Sequence, residues 1–228
     1  MDVVHLIYIF DDKAGSSSLH LRGELYKYLI KVRRHGVGDI VQFRSQENIA
    51  MLHSYKLIEL QPREVVFELI DSQTLEVKSV QDLHIGWCII DPKSVEKVLP
   101  SLCEIGVAKI SFISCQRSQH NFKIDFKRYN RILEASMQQC GRTSMMEFAV
   151  YKNLATFIEE YPQTKVFDFT QKILDSTDDF QTVLIGCEGG FSPEEKKLLE
   201  TQEVFRLNSP MVLRSESAVM AVASKILL

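Results

Sequence analysis

Glycine and carboxylate residues cluster in one stretch whose spacing is typical of a ligand-binding turn, TVLIGCEGGFSPEE, Thr182–Glu195. The apolar run Val183–Ile185 predicts a buried strand, and the glycines after it let backbone N–H and C=O groups approach a ligand that a Cβ would hold off. Open α/β sheets bind small molecules at this end of their parallel strands. Ser192 and Glu195 then predict the capping box of a helix. This segment alone leaves a tight turn without a ligand equally open.

The chemistry of the same turn argues against a nucleotide phosphate. It lacks the GK[ST] ending of a P-loop, and GCEGGF does not have the G-x-G-x-x-G spacing of a dinucleotide fold. Glu188, in the middle of the turn, would also repel a pyrophosphate. A neutral or cationic ligand is therefore expected.

Three further segments contain recognisable sequence motifs. LNSPMVLRSESAVMAVASKIL, Leu207–Leu227, predicts a short strand, an irregular turn and a helix capped by Ser215 or Ser217. The others are CEIGVAKISFISCQRS, Cys103–Ser118, and MQQCGR, Met137–Arg142. Together with IGCEGGFSPEE, in this order and with these separations, they resemble the RsmE family of ribosomal RNA uridine methyltransferases. That family usually reads IGPEGGxSxxE and LGxRxLRxETA in the two principal segments.

The sequence differs from the usual motifs of the family at four positions. Cys187 stands where the family usually has proline, and Ser217 where it has threonine. Ser209 replaces a glycine that would permit close approach or a positive φ, and Met211 replaces a residue that is often arginine. We interpret the chain as a divergent but intact member.

The resemblance implies a fold and an activity. The fold is α/β, with a small N-terminal PUA-like β-barrel followed by a SPOUT-type α/β domain that ends in a C-terminal trefoil knot. The activity is methylation of N3 of a uridine in 16S ribosomal RNA, free or in the small ribosomal subunit, with S-adenosylmethionine as donor. Two chains are expected to pair as a homodimer. The knot follows from the resemblance alone, because knots are too rare for a sequence pattern to suggest one.

The resemblance also implies which residues form the site. The donor is expected to contact, mostly through main-chain atoms, Phe169, Ile185, Gly186, Gly189, Gly190, Leu207, Ser209, Val212 and Leu213.

N3 of uridine carries a proton and is a poor nucleophile until that proton leaves. Arginine does not lose its own proton in proteins, but its planar fork suits an oxyanion. We therefore assign Arg214, Arg117 and Arg142 to stabilising the uridine anion or holding phosphates. Glu188 or Glu216 is the candidate base. Either carboxylate could instead be structural, and Glu216 is expected in the first turn of the last helix, where a negative charge is favourable anyway.

Composition places the chain among globular proteins. Its 228 residues, 45% hydrophobic and 25% charged, suffice for one large or two small domains. The five cysteines are an odd number without a CxxC pair, which predicts a reducing cytoplasm. The opening MDVVHLIYIFDDKAG is too short and too acidic at its flank for a signal peptide, and no membrane partner is expected. The six histidines show no metal-ligand spacing, so no metal is expected either.

Residues 1–76 carry short β-rich runs that predict the small barrel. Between the first two runs, HLRGELYKYLIKVRRHGVGD predicts a helix with one apolar face. That face is expected to carry Leu25, Tyr28, Leu29 and Val32. The segment is basic, and a solvated helix face is the plain alternative to an RNA-binding one. The resemblance favours RNA binding, through Arg22, Lys31, Arg33 and Arg34.

The polar stretch Asp71–Asp82 is the predicted boundary, after which residues 77–228 alternate strands and helices. Such alternation predicts a parallel sheet covered on both faces. Pro100 falls inside the first helical pattern and predicts a kink or a late start. Gly106 is expected to end that helix.

A basic loop, Cys115–Arg131, leads into another predicted helix. Arg131, Glu134, Gln138 and Arg142 recur at helical spacing, so they share one face if the helix reaches Arg142.

Two rival functions come from other classes. A non-catalytic RNA-binding protein that keeps the fold is favoured by Ser209 and Met211. A Rossmann-type reductase is disfavoured, because the glycine fingerprint and its acidic ribose partner are missing.

Overall fold

The computed structural model describes residues 7–118, 123–175 and 180–228. The chain divides into two compact units. The first comprises residues 1–77 with residues 137–144, and the second comprises residues 78–136 with residues 145–228. The predicted strand VVHLIYIF and the loop residue His120 lie wholly or partly outside the described residues.

The first unit is built on a five-stranded sheet that curls into a half-barrel. Its strands are β1 (Ile9–Phe10), β2 (Ser18–Arg22), β3 (Ile40–Arg44), β4 (Met51–Leu60) and β5 (Glu64–Thr74), in the order β1-β3-β4-β5-β2. Strand β1 pairs with β3 in parallel, and the other neighbours are antiparallel. Alternate residues such as Leu19 and Leu21 point into a core that also contains Phe43, Tyr55 and Phe67.

The predicted basic helix is shorter and differently wound than expected. His20 and Arg22 belong to strand β2, and helix α1 covers only Gly23–Tyr26. The next residues, Lys27–Val32, are π-helical, with Arg33 N–H donating to the carbonyl of Tyr28 five residues back. The wider π turn breaks the 3.6-residue period, so Val32 is 67% exposed instead of lying on the apolar face. The prediction of one regular helical face was wrong.

The second unit is built on a six-stranded, entirely parallel sheet. Its strands are β6 (His84–Cys88), β7 (Lys109–Ile113), β8 (Glu147–Tyr151), β9 (Lys165–Phe167), β10 (Thr182–Ile185) and β11 (Val204–Phe205). Their order in the sheet is β11-β9-β10-β6-β7-β8. Strands β7 and β8 are added on one side of β6, and β9, β10 and β11 lie on its other side. The strand order therefore reverses between β6 and β10. Ligands bind at such a reversal, at the carboxyl ends of the strands.

The helices of this part of the chain are α2 (Pro92–Ile105), α3 (Phe126–Cys140), α4 (Leu154–Glu160), α5 (Pro193–Leu198) and α6 (Ser215–Leu227). Helix α2 begins at Pro92 and continues through Pro100, which excludes the late start, one of the two alternatives that Pro100 suggested. Gly106 ends it as predicted, with a left-handed φ of 101°.

Two predicted helix termini differ from the structure. Helix α3 ends at Cys140, so Arg142 lies beyond it and does not share its face. Helix α6 has Arg214 at its N-cap position and no side-chain cap, because the Ser215 hydroxyl is engaged elsewhere. The short strand expected at Leu207 ends earlier, at Phe205.

Candidate functional site

A cavity of about 310 Å³ opens in the second unit, at the carboxyl ends of β9 and β10. Its walls are three segments, one at the end of each of three strands, with contributions from Arg117, from Lys196 of α5 and from the start of α6. The segments are Phe167–Phe169 after β9, Ile185–Phe191 after β10 and residues 206–213 after β11. The cavity has the size of a small-molecule site.

All nine residues expected to contact a donor line this one cavity. They are Phe169, Ile185, Gly186, Gly189, Gly190, Leu207, Ser209, Val212 and Leu213. Sequence reasoning did not select the lining residues Phe167, Asp168, Cys187, Phe191, Lys196, Arg206, Met211, Ser215 and Ala218. Several of these directly precede or follow a selected residue, and that adjacency was the available signal.

The glycine turn is shaped by close approach and by backbone conformation. Gly190 has a φ of 64°, and its N–H donates to the carbonyl of Cys187 at 2.9 Å. A Cβ on Gly189 would lie 3.1 Å from the Cβ of Arg117. Two positions of the turn therefore use glycine for different reasons: Gly190 for its positive φ, and Gly189 for the nearby arginine.

The three cations of the cavity wall all have acceptors within that wall. Arg117 Nη1 donates to the carbonyl of Gly189 at 2.8 Å, and Arg206 Nη1 donates to the carbonyl of Leu207 at 3.0 Å. Lys196 Nζ lies 3.4 Å from Asp168 Oδ2. Only Lys196 has a carboxylate as its partner; the two arginines donate to neutral carbonyls and keep their positive charge in the wall, beside the carboxylates of Asp168 and Glu188.

The start of helix α6 is tied to the glycine turn through a buried serine. Trp87 Nε1 donates to Ser215 Oγ at 2.8 Å, and the Ser215 hydroxyl donates to the carbonyl of Gly186 at 2.6 Å. Trp87 is fully buried. This relay fixes the orientation of one backbone group in the cavity wall.

The capping box of α5 forms as predicted, and it also has a partner outside the helix. The Ser192 hydroxyl accepts from Glu195 N–H at 3.1 Å, and Glu195 Oε2 accepts from Ser192 N–H at 2.9 Å. Glu195 Oε1 accepts from the backbone N–H of Gln116 at 2.8 Å. One carboxylate thus connects the loop after β7 to the segment after β10.

Cys187 stands in the turn where the resemblance expected proline. Burial raises the pKa of its thiol, so the group is protonated at neutral pH. It packs there as a small apolar side chain. All five cysteines are free thiols.

The five residues expected to act in catalysis do not all lie together. Arg117 and Glu188 line the cavity, and both are exposed. Arg214 is exposed and Glu216 lies in the first turn of α6, but neither lines the cavity. Glu216 Oε2 is buried and has no hydrogen-bond partner among the described residues. Arg142 belongs to the first unit, where its Nε donates to the carbonyl of Ser144 at 2.6 Å.

The four residues expected to bind RNA differ in whether their side chains already contact other residues of the protein. Arg22 pairs with Glu64 at 2.9 Å. Arg33 lies over the ring of Tyr28 and donates to its hydroxyl at 2.8 Å. Lys31 and Arg34 are exposed and have no ion pair within the described part of the chain. These two are the best placed of the four to meet an external anion.

The described residues contain no helix that is long and apolar enough to cross a membrane. Across residues 7–118, 123–175 and 180–228, no three histidine, cysteine or acidic side chains are grouped so that they could hold a metal ion.

Comparison with known proteins decides the family. Residues 77–227 match the family described as RNA methyltransferase domain. Ribosomal RNA small subunit methyltransferase E of Helicobacter pylori strain ATCC 700392 / 26695 is 34% identical over 221 residues, covering 95% of this chain and 97% of the relative. The chain belongs to the ribosomal RNA small subunit methyltransferase E family. The resemblance seen in the four sequence segments is thereby confirmed.

More distant relatives and solved structures match most of the chain. The protein of that name from Aquifex aeolicus is 25% identical over 209 residues, covering 82% of this chain and 90% of the relative. The Neisseria gonorrhoeae enzyme of that name, solved with S-adenosyl methionine, superposes with a TM-score of 0.73 at 16% identity over 96% of both chains. A Legionella pneumophila methyltransferase solved with bound SAM gives 0.72 at 22% identity, over 96% of this chain and 94% of the other. These structures establish a shared mixed α/β fold.

Proposed function

We propose that this protein transfers a methyl group from S-adenosylmethionine to N3 of a uridine in the ribosomal RNA of the small subunit, in the cytoplasm. The observation that carries the proposal is the cavity of the second unit, which gathers all nine expected donor residues in a chain of the methyltransferase E family. A non-catalytic RNA-binding protein that keeps the fold would keep this cavity, so donor binding is the measurement that separates the two functions.

The residues of the cavity fit the proposed donor. S-adenosylmethionine supplies an electrophilic methyl group on a positively charged sulfur. Glu188 adds an exposed negative charge to the wall, which would attract the sulfonium, and Lys196 is already paired with Asp168. The backbone of Gly186, Gly189 and Gly190 would contact the polar edges of the ligand, and Ile185, Leu213 and Phe169 would cover its apolar parts.

The reaction requires that the N3 proton leave and that the resulting charge on the uracil oxygens be stabilised. Arg117 lies in the cavity wall with a fixed positive charge, and we assign it to the developing oxyanion. Glu188 is the carboxylate of the wall that is exposed to an entering base, which makes it the preferred proton acceptor. Arg214 and Arg142 are proposed to stabilise the uridine anion or hold phosphates, and Glu216 is the second candidate base, in a site that the RNA or a second chain would complete.

RNA binding is assigned to the first unit, which we propose to be a PUA-like barrel covering residues 1–76, with residues 77–228 as the SPOUT catalytic domain. Lys31 and Arg34 would contact phosphates, supported by Arg22 and Arg33. We further propose that the C-terminal segments form a trefoil knot and that the protein acts as a homodimer. Phe169, Met211 and Val212, at 80%, 73% and 78% exposure, provide apolar surface at the cavity that a second chain or the target base would cover.

Calorimetric titration with S-adenosylmethionine tests the donor site first. Saturable binding is expected, and Gly189→Val should abolish it by forcing Arg117 off the turn. Purified small ribosomal subunits are then incubated with protein and a donor that carries a labelled methyl group. A methyl on N3 blocks the Watson–Crick edge, so reverse transcription of the extracted RNA should stop beside one uridine. Absence of donor binding with RNA present would refute the enzyme and favour the non-catalytic RNA-binding protein.

A further inference from the structure

Glu195 has a hydrogen bond that helix capping does not require. A capping box needs only the reciprocal bonds between Ser192 and Glu195. Glu195 uses its second oxygen to accept the backbone N–H of Gln116, 79 residues away in sequence, at 2.8 Å. The carboxylate is buried, with only 4% of the residue exposed, so both of its oxygens are satisfied away from bulk water.

The peptide that Glu195 holds directly precedes a residue of the cavity wall. Gln116 lies in a tight turn in which Ser118 N–H donates to the carbonyl of Cys115 at 3.0 Å and Cys115 N–H donates to Ser118 Oγ at 3.1 Å. Arg117, next in the chain, donates to the carbonyl of Gly189 at 2.8 Å. The turn thus has one attachment through Glu195 and another through the arginine itself.

Arg117 has little else to hold it in place. Its side chain is exposed, and within the described residues its one hydrogen bond is the bond to the carbonyl of Gly189; the carboxylate of Glu194 is close enough to interact with its charge. A long side chain with a single attachment loses rotamer entropy when it is fixed, unless its backbone is already constrained. The bond from Glu195 to Gln116 supplies that constraint on the backbone.

We propose that Glu195 is a positioning residue for methyl transfer, which holds the 115–118 turn so that the guanidinium of Arg117 stays at the glycine turn. This inference rests on the proposed function, because it concerns the efficiency of that reaction. Glu195 does not line the cavity, so it would not contact a donor bound there. It acts only through Arg117.

Glu195→Gln separates the two roles of this carboxylate. Glutamine at this position of a capping box can still accept from the Ser192 N–H with its carbonyl oxygen. Its amide nitrogen would then face the Gln116 N–H, so that two donors meet and the bridge is lost. Ser192→Ala is the matched control, because it weakens the helix cap but leaves the Glu195 bond to Gln116 intact.

The test measures methyl transfer to small ribosomal subunits, donor affinity and thermal stability for both variants. Glu195→Gln should lower kcat/KM by roughly 10- to 100-fold, the scale of a misplaced catalytic group, with donor affinity within about twofold of wild type. Ser192→Ala should lower Tm but leave kcat/KM within about twofold. Loss of activity that follows Tm across both variants, or a Glu195→Gln protein with wild-type kcat/KM, would overturn the inference.

A double-mutant cycle with Arg117→Ala identifies the route of the effect. If Glu195 acts through Arg117, the double variant Arg117→Ala with Glu195→Gln should have a kcat/KM no more than about twofold below that of Arg117→Ala alone. Fully multiplicative losses would refute the route. Hydrogen exchange of residues 115–118 gives a readout independent of catalysis, and it should accelerate in Glu195→Gln but not in Ser192→Ala. A wild-type protein that transfers no methyl group would refute the proposed function, whereas unchanged exchange in Glu195→Gln would refute the anchoring itself.

Discussion

His84 should make the stability of this protein strongly dependent on pH in the acid range. It begins strand β6 and is 8% exposed. Its Nε2 lies 2.7 Å from Ser111 Oγ, and its ring packs edge-on against Phe157 and Tyr161. Burial, followed by the positive charge of Lys109, lowers the pKa of His84 to about 4. The folded protein therefore holds this imidazole neutral well below the pH at which a free histidine becomes charged.

The sign and size of the effect follow from linkage. Because the folded pKa lies below the unfolded value of about 6.5, the unfolded chain binds the proton first, and the stability present above pH 6.5 is lost as pH falls. The difference between the two pKa values corresponds to roughly 3 kcal/mol once pH is below both of them. At pH 5 the loss should already be roughly 2 kcal/mol. The negative charge of Glu160 favours the protonated imidazole, so it limits how far the pKa of His84 falls.

Urea unfolding of wild type and His84→Gln at pH 7.5 and pH 5.0 measures this contribution. Other acid groups titrate in both proteins, so the difference between the two pH dependences isolates the imidazole. Wild type should lose roughly 2 kcal/mol more than the variant between these pH values. NMR titration of the folded protein supplies a direct check on the ring. A pH dependence shared by both proteins, or a His84 resonance that titrates near pH 6.5, would refute the reasoning.

Three glycine substitutions give further tests. Gly86→Ala should reduce the free energy of unfolding by roughly 1–3 kcal/mol in urea titrations, because its Cβ would lie 2.5 Å from the ring of Phe157; wild-type stability would contradict this packing. Gly189→Ala should weaken methyl transfer several-fold with little change in Tm, since its Cβ would press on Arg117 at 3.1 Å. Gly190→Ala has open space around it but a φ of 64°, so it should cost about 1 kcal/mol of stability and retain donor binding. The reverse pattern for the last two, from calorimetry and thermal melts, would show that crowding and strain were assigned to the wrong glycines.

Local patterns in the sequence were sufficient to predict the strand, turn and helix that form the candidate site. The strand, glycine turn and capped helix of Thr182–Glu195 depend on hydrophobic period, positive φ and an i,i+3 pair, all set by neighbours in the chain. Four segments in a fixed order were sufficient to predict the family. Eight of the nine residues expected to contact the donor lie in two of these segments, the ninth is Phe169, and all nine line one cavity.

Contacts between distant segments were decided only by the tertiary structure. The bond from Glu195 to Gln116 and the relay from Trp87 through Ser215 join residues that no sequence period relates. The pairing of each cavity cation with an acceptor in the wall likewise depends on how separate loops meet.

The π-helical conformation of Lys27–Val32 could not be predicted from the sequence either. A 3.6-residue period presumes an α-helix, and the sequence carries no separate mark for a π turn. The end of α3 is a different case, because a signal was present: the helix ends at Cys140, directly before Gly141, which has a left-handed φ of 84°. Sequence determines what each segment prefers to be by itself; the structure determines which atoms of distant segments satisfy one another, because a buried polar group must find its partner wherever the fold places one.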